Sequence, residues 1–269
     1  MIQLKSPAEI AKMREAGLVV AAGLAQMKAA VAPGVSTADL NEIGAKVLRD
    51  AGATGSFLGY HGFPAVICSS INNEIVHGIP KPNRVLREGD VISIDFGAIV
   101  DGWHGDAAVT VGVGSIAPEV RKLLDVCEES LWRGLGAASL GGRLSDISHA
   151  IEQVVRPYGF GIVEGYGGHG IGSEMHQDPH VLNYGKPGRG PKLVKGLCLA
   201  IEPMVNLGAA GTKELEDGWT VVTVDGSVSA HFEHSFTLTD SGPFVLTAAD
   251  GGAARFAKLG VRTGELAPV

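Results

Sequence analysis

Gly89-Asp-Val-Ile-Ser-Ile-Asp95 and Gly196-Leu-Cys-Leu-Ala-Ile-Glu202 repeat one pattern 107 residues apart. Each opens on glycine, runs through β-branched and aliphatic residues that suit a buried strand, and ends on a carboxylate. An acid closing an apolar strand is costly to bury unless it is paired or meets a cation. The same offset sets Asp39 against Asp146, Val47 against Val154, Arg49 against Arg156 and Gly52 against Gly159. About twenty extra residues in the second half then bring Asp106-Ala-Ala-Val-Thr110 opposite Glu233-His-Ser-Phe-Thr237. The apolar matches alone could arise between any two helix-plus-strand units; acids at matched strand positions point to a duplicated one. Two halves, about residues 33–111 and 140–240, would then bring Asp95, Asp106, Glu202 and Glu233 together near a pseudo-two-fold axis.

Working outward, Ser6-Pro7-Ala8-Glu9 combines a cap, a first-turn proline and a capping-box acid ahead of Ile10, Met13, Val20, Leu24 and Met27. That spacing predicts a helix over 7–30. Pro33-Gly34 breaks it, and Ser36 with Asp39 starts a second helix that Gly52 closes. Short β-branched runs at 66–68, 91–94 and 109–111 read as strands. The stretch 248–269 carries no strong helix or strand pattern and reads as a peripheral tail beyond a single domain over 1–247.

The composition excludes several classes of function. With 269 residues and 45% hydrophobic content the chain is globular, near the upper size for one core. A net charge of −7 without a clustered basic face argues against nucleic-acid binding. The 3 cysteines, Cys68, Cys127 and Cys198, show neither a disulfide framework nor a zinc-knuckle spacing, which suits a reducing compartment. The most apolar early stretch, Gly17 to Ala25, is only about a third to a half of a bilayer span, and Glu9 and Glu15 precede it where a signal peptide would be basic. A cytoplasmic location is expected. The 39 glycines, without a fixed period, imply many tight turns and close backbone approaches.

Four carboxylates at one centre cannot all stay ionised without cations between them, so Asp95, Asp106, Glu202 and Glu233 point to a metal pair. The alternative, surface salt bridging, is weakened because Asp106 and Glu233 have His104, His231 and His234 as sequence neighbours rather than Lys or Arg. His169, within Gly165-Tyr-Gly-Gly-His-Gly-Ile-Gly172, is the candidate imidazole, on backbone able to approach an ion closely. Oxygen ligands with one imidazole suit manganese, iron, cobalt or zinc. Gly165, Gly167 and Gly170 also match the dinucleotide fingerprint, but no helix or ribose-binding acid follows. His176 and His180 have zinc-helix spacing, yet Gln177 replaces the required Glu and Pro179 interrupts the turn. His77 follows an apolar strand at a place where a pocket could lie, or is a hydrogen-bonded structural residue. Tyr60, Phe63, Cys68 and Trp219 read as either core or the lining of an apolar pocket. His149 and His180 carry no role, and Asp101, Glu216 and Asp217 read as turn acids.

Taken together, these residues resemble the bacterial type I methionine aminopeptidases, in their short form. The resemblance spans about residues 4–247. It rests on Leu58-Gly-Tyr-His-Gly-Phe-Pro64, Ser70-Ile-Asn-Asn-Glu74, His77-Gly-Ile-Pro80, Asp95 with Asp106, Gly167-Gly-His-Gly-Ile-Gly172, Ala200-Ile-Glu-Pro-Met204 and Glu233-His234, all in family order. It implies an α+β pita-bread fold, two pseudo-two-fold halves of antiparallel sheet covered by helices. It also implies removal of an initiator methionine that precedes a small residue, through water held by two divalent ions. Asp106 and Glu233 would bridge the ions, Asp95 would complete one site, and His169 with Glu202 the other. Glu202 would carry the proton, His176 would steady the oxyanion, and His77 would bond near the scissile nitrogen. Tyr60, Phe63, Cys68, His77 and Trp219 would form the methionine slot. Phe57 and Met175 depart from the commonest pattern, and both are expected on the pocket rim.

The partners so implied are nascent polypeptide N-termini, with the ribosome as a candidate; a monomer without membrane attachment is expected. Two rival readings differ in kind. A proline-specific peptidase of the same superfamily would keep these ligands, and a binding scaffold would have lost some of them.

Overall fold

A computed structural model describes residues 1–268. Helix α1 (Pro7–Ala30) starts at a complete capping box, in which the Glu9 carboxylate accepts the Ser6 N–H and the Ser6 hydroxyl accepts the Glu9 N–H. Helix α2 (Thr37–Asp50) repeats the device with Ser36 and Asp39. In the second half, α3 (Pro118–Ala137) and α4 (Leu144–Val155) stand where the 107-residue offset puts them. At the start of α4 the Asp146 carboxylate accepts the Arg143 N–H at 2.7 Å. The matched pair Asp39 and Asp146 therefore does one job twice.

All pairings in the main sheet are antiparallel. Its order is Thr54–Gly55, the Asp95 strand (Val91–Val100), the Asp106 strand (Trp103–Gly112), the Glu233 strand (Glu233–Thr239), the Glu202 strand (Cys198–Ile201), the His169 strand (Gly168–Gly170) and Gln177–Val181. Ile67–Ile71 also pairs with the Asp95 strand, and Gly242–Val245 with the Glu233 strand. The halves meet where the Asp106 and Glu233 strands join, with Glu233 opposite Ala108. Gly89 and Gly196, φ +88° and +84°, turn the chain into the two matched strands through a conformation that favours glycine.

Each half buries its own apolar cluster. Val20, Met27, Leu40, Ile92, Ile94 and Phe96 fill the first, beneath α1 and α2. Leu123, Leu131, Ile147, Ile151, Leu199 and Phe236 fill the second, beneath α3 and α4. Helix α1 comes so close to its neighbours that a Cβ at Gly17 would lie 2.2 Å from the Leu246 carbonyl oxygen. None of the described helices is long and apolar enough to cross a membrane.

Two expectations are corrected. The runs at 91–94 and 109–111 are fragments of ten-residue strands. The strands continue through Asp95 and Asp106, which face the site and break the apolar pattern, and through Gly105, where a Cβ would lie 2.7 Å from the Gly17 nitrogen of α1. Within the stretch 248–268 one short helix is anchored in the core, although most of its neighbours remain at the surface. Helix α5 (Ala253–Lys258) buries Phe256 completely, its ring 5.6 Å from that of Trp132. One aromatic among alanines and glycines leaves almost no periodic signal, although it anchors the segment. Val269, the last residue of the expected tail, lies outside the described residues.

Candidate metal centre and substrate pocket

Strand alternation sets the site. On the Asp95 strand, Ile92, Ile94 and Phe96 point toward the helices, so Ser93, Asp95 and Gly97 point the other way. Cross-strand register then sets Asp95 opposite Ala108, and Ala108 opposite Glu233. Glu202 follows Ile201, the partner of His234, and so lies beside Glu233. In the neighbouring row Asp106 is opposite Gly97, while Ala200 joins Ser235 to His169. Ser235 ties the strands of the two halves together by donating its hydroxyl to the Asp106 carbonyl at 2.7 Å. Five polar groups from both halves thus share one face.

His169 Nε2 lies 3.5 Å from Glu202 Oε1 and 3.9 Å from Asp106 Oδ2. Asp106, His169 and Glu233 each offer a ligand atom within 4.8 Å of the others, as do Glu202, His231 and Glu233. Burial pushes the Asp95 carboxyl up to about 7. Burial and neighbouring carboxylates hold Asp106, Glu202 and Glu233 well above the usual carboxylate range. Burial drives His169 down to about 3, leaving the neutral imidazole that can bind metal. Asp95 Oδ1, Asp106 Oδ1 and Glu233 Oε1 are buried without a hydrogen-bond partner, and no Lys or Arg pairs with these acids among the described residues. Orphaned carboxylate oxygens beside a neutral imidazole fit divalent cations.

The acids floor a cavity of about 150 Å³ whose walls include Phe57, Phe63, Cys68, His77, Met175 and Trp219. Cys68 stands opposite Asp95 in the sheet, which joins the apolar wall to the acidic floor. His77 follows the strand Glu74–Val76 with φ +61°, a left-handed conformation strained for a non-glycine residue. Its ring meets Trp219 edge-on at 6.4 Å, and burial lowers its pKa to about 4. His176 stands at the mouth with Nδ1 2.7 Å from the Tyr60 hydroxyl and its ring 4.3 Å from that of His169.

The sequence pattern of metallopeptidase family M24 matches residues 11–240. The methionine aminopeptidase of Clostridium acetobutylicum is 51% identical over 247 residues, 92% of this chain and 99% of that protein. The chain belongs to metallopeptidase family M24, among the methionine aminopeptidases. Methionine aminopeptidase 1 of Mycobacterium tuberculosis is 53% identical over 92% of the chain and 95% of its own length. The crystal structure of the Thermotoga maritima methionine aminopeptidase superposes with a TM-score of 0.90 at 42% identity, over 92% of this chain and 99% of that one. This M24 member therefore has the pita-bread fold.

Within the M24 chain, every residue singled out for the pocket or the centre lines the same cavity. Phe57 and Met175 differ from expectation: at 7% and 4% exposure they pack with Phe63, Ala65 and Cys68 in the wall, not on the rim. Large apolar side chains with a cluster to join gain more from burial than from a rim position. The glycines around His169 belong to a strand. A Cβ at Gly168 would stand 2.2 Å from the Ala200 carbonyl oxygen, and one at Gly170 2.1 Å from that of Asp178. His176 precedes the strand Gln177–Val181, so no zinc helix forms there. Sequence reasoning gave His231 no role of its own. Its only signal was a place two residues before Glu233, where a histidine at an apolar strand end also reads as core.

Proposed function

We propose that this chain removes the N-terminal methionine from nascent proteins and peptides whose second residue is small, using two divalent ions drawn from manganese, iron, cobalt or zinc. The observation that carries this reading is a cavity of about 150 Å³ with apolar walls, floored by Asp95, Asp106, His169, Glu202 and Glu233. Asp95, Asp106, His169, Glu202 and Glu233 are the residues that would hold the ions, their carboxylate oxygens and one neutral imidazole supplying the ligands. When bound, the ions supply Lewis acidity for activating water and polarising the scissile carbonyl.

The remaining chemistry belongs to side chains. Glu202 takes the proton of the attacking water and returns it to the departing amine. His176 donates a hydrogen bond to the developing oxyanion, its ring held by the Tyr60 hydroxyl at 2.7 Å. His77, neutral because buried, bonds near the scissile nitrogen. Tyr60, Phe63, Cys68, His77 and Trp219 receive the methionine side chain, a soft surface suited to a thioether. Phe57 and Met175 close the wall and influence which second residue is accepted. The protein acts as a monomer in the cytoplasm on chains emerging from the ribosome, without nucleic-acid specificity or membrane attachment. Residues 1–247 form its catalytic unit.

Hydrolysis of Met-Ala-Ser and Ala-Pro-Ser by metal-stripped protein, with Mn²⁺, Fe²⁺, Co²⁺ and Zn²⁺ restored in turn without oxygen, tests the reading. Cleavage of the methionine peptide alone is expected. Preference for Ala-Pro-Ser would move the chain to proline-specific chemistry, and no cleavage with any ion would make it a scaffold.

A further inference from the structure

His231 ends the strand Ser229–His231, opposite Met204 in the segment that follows Glu202. Its backbone is held to the Asp106 strand from two sides. The Thr110 hydroxyl donates to the His231 carbonyl and accepts the His231 N–H, both at 2.8 Å. The side chain has no freedom to leave the site, since the residue is 1% exposed. Its Nε2 is buried without a hydrogen-bond partner, 3.7 Å from Glu202 Oε2 and 3.8 Å from Glu233 Oε2. His169 faces the other oxygen of Glu202, Oε1, at 3.5 Å. Glu202 therefore lies between two imidazoles, one for each carboxylate oxygen.

An imidazole carries a proton on at least one of its two nitrogens. A lone pair at Nε2 would face two acceptor oxygens, whereas a proton there faces two partners. The 3.7 Å separation exceeds a hydrogen bond, and a carboxylate shift of less than about 1 Å brings it into range. We propose that His231 is a positioning residue: its Nε2–H hydrogen-bonds Glu202 Oε2, which keeps Oε1 turned toward His169. The inference rests on the reading of Glu202 as a metal ligand, and it gives His231 the supporting role that fixes a ligating carboxylate.

Two measurements test it. In the Zn²⁺-loaded wild-type protein, ¹⁵N-resolved NMR of the histidine rings should find His231 neutral with its proton on Nε2. A bare or zinc-bound Nε2 would overturn the inference. The His169 ring reports independently whether zinc occupies the centre, so failure of the metal reading is told apart from failure of this one. In Zn²⁺ titration calorimetry, His231→Leu should weaken binding on the order of 10- to 100-fold. His231→Gln, which keeps a donor of similar reach, should restore affinity to within about threefold of wild type. Equal affinity in His231→Leu, or no rescue by His231→Gln, would contradict the role. Should His231→Leu fail to fold, the ring NMR of the wild-type protein still decides.

Discussion

The residues around the centre divide between two faces of the same strands. Glu233 turns toward the carboxylates, while its neighbour His234 turns the other way, with Nδ1 2.8 Å from the Thr247 hydroxyl and its ring 5.1 Å from that of Trp132. Burial lowers the His234 pKa from 6.5 to about 4. The folded imidazole thus stays neutral where the unfolded one takes a proton. The unfolded chain then binds more protons between pH 6.5 and 4, so this contribution to stability is full above pH 6.5 and is lost as pH falls toward 4. In wild-type protein it amounts to about 2–3 kcal/mol after allowance for partial exposure. His234→Gln should flatten the fall of Tm across that window, and an unchanged Tm profile would remove His234 as its source. At this scale the acids lining the cavity were legible, because acids ending apolar strands announce themselves. His231 was not, because the sequence does not say which way a buried histidine faces or what stands opposite.

Helices and strands are set here by short devices used twice. Capping acids Asp39 and Asp146 stand at equivalent helix starts, and left-handed Gly89 and Gly196 at equivalent strand entries. Helix α1 comes close to its neighbours where it lacks a side chain at Gly17, and a Cβ there would meet the Leu246 carbonyl oxygen at 2.2 Å. Gly17→Ala should gain helix propensity but lose more to overpacking, a net cost of about 1–3 kcal/mol and several degrees of Tm in a thermal melt. A Tm at or above wild type would show that the helix can move away freely. Both N-terminal helices were readable from caps and apolar spacing, which are local signals. Strand length was not, since the Asp95 and Asp106 strands abandon their apolar alternation where they serve the site.

At the scale of the molecule, the offset between matched acids becomes a pseudo-symmetric sheet whose central seam joins the Asp106 strand to the Glu233 strand. What the offset could not reveal is how the chain closes behind the seam. Phe256 of α5 packs on Trp132 from α3, and the Arg14 guanidinium of α1 donates to the carbonyls of Leu246 and Ala248, both at 2.6 Å. Such contacts join segments far apart in sequence and leave no local pattern. Phe256→Ala should destabilise the fold by about 3–5 kcal/mol in denaturant unfolding while leaving KM for a methionine peptide near wild type. A loss below 1 kcal/mol would return the segment to a peripheral role. The central claim is that carboxylates from the two halves converge to hold a pair of ions. Anomalous diffraction from crystals soaked in saturating Mn²⁺ tests it most directly. Two peaks are expected among Asp95, Asp106, His169, Glu202 and Glu233, both absent in Asp106→Ala; a single peak, or none among these residues, would contradict the claim.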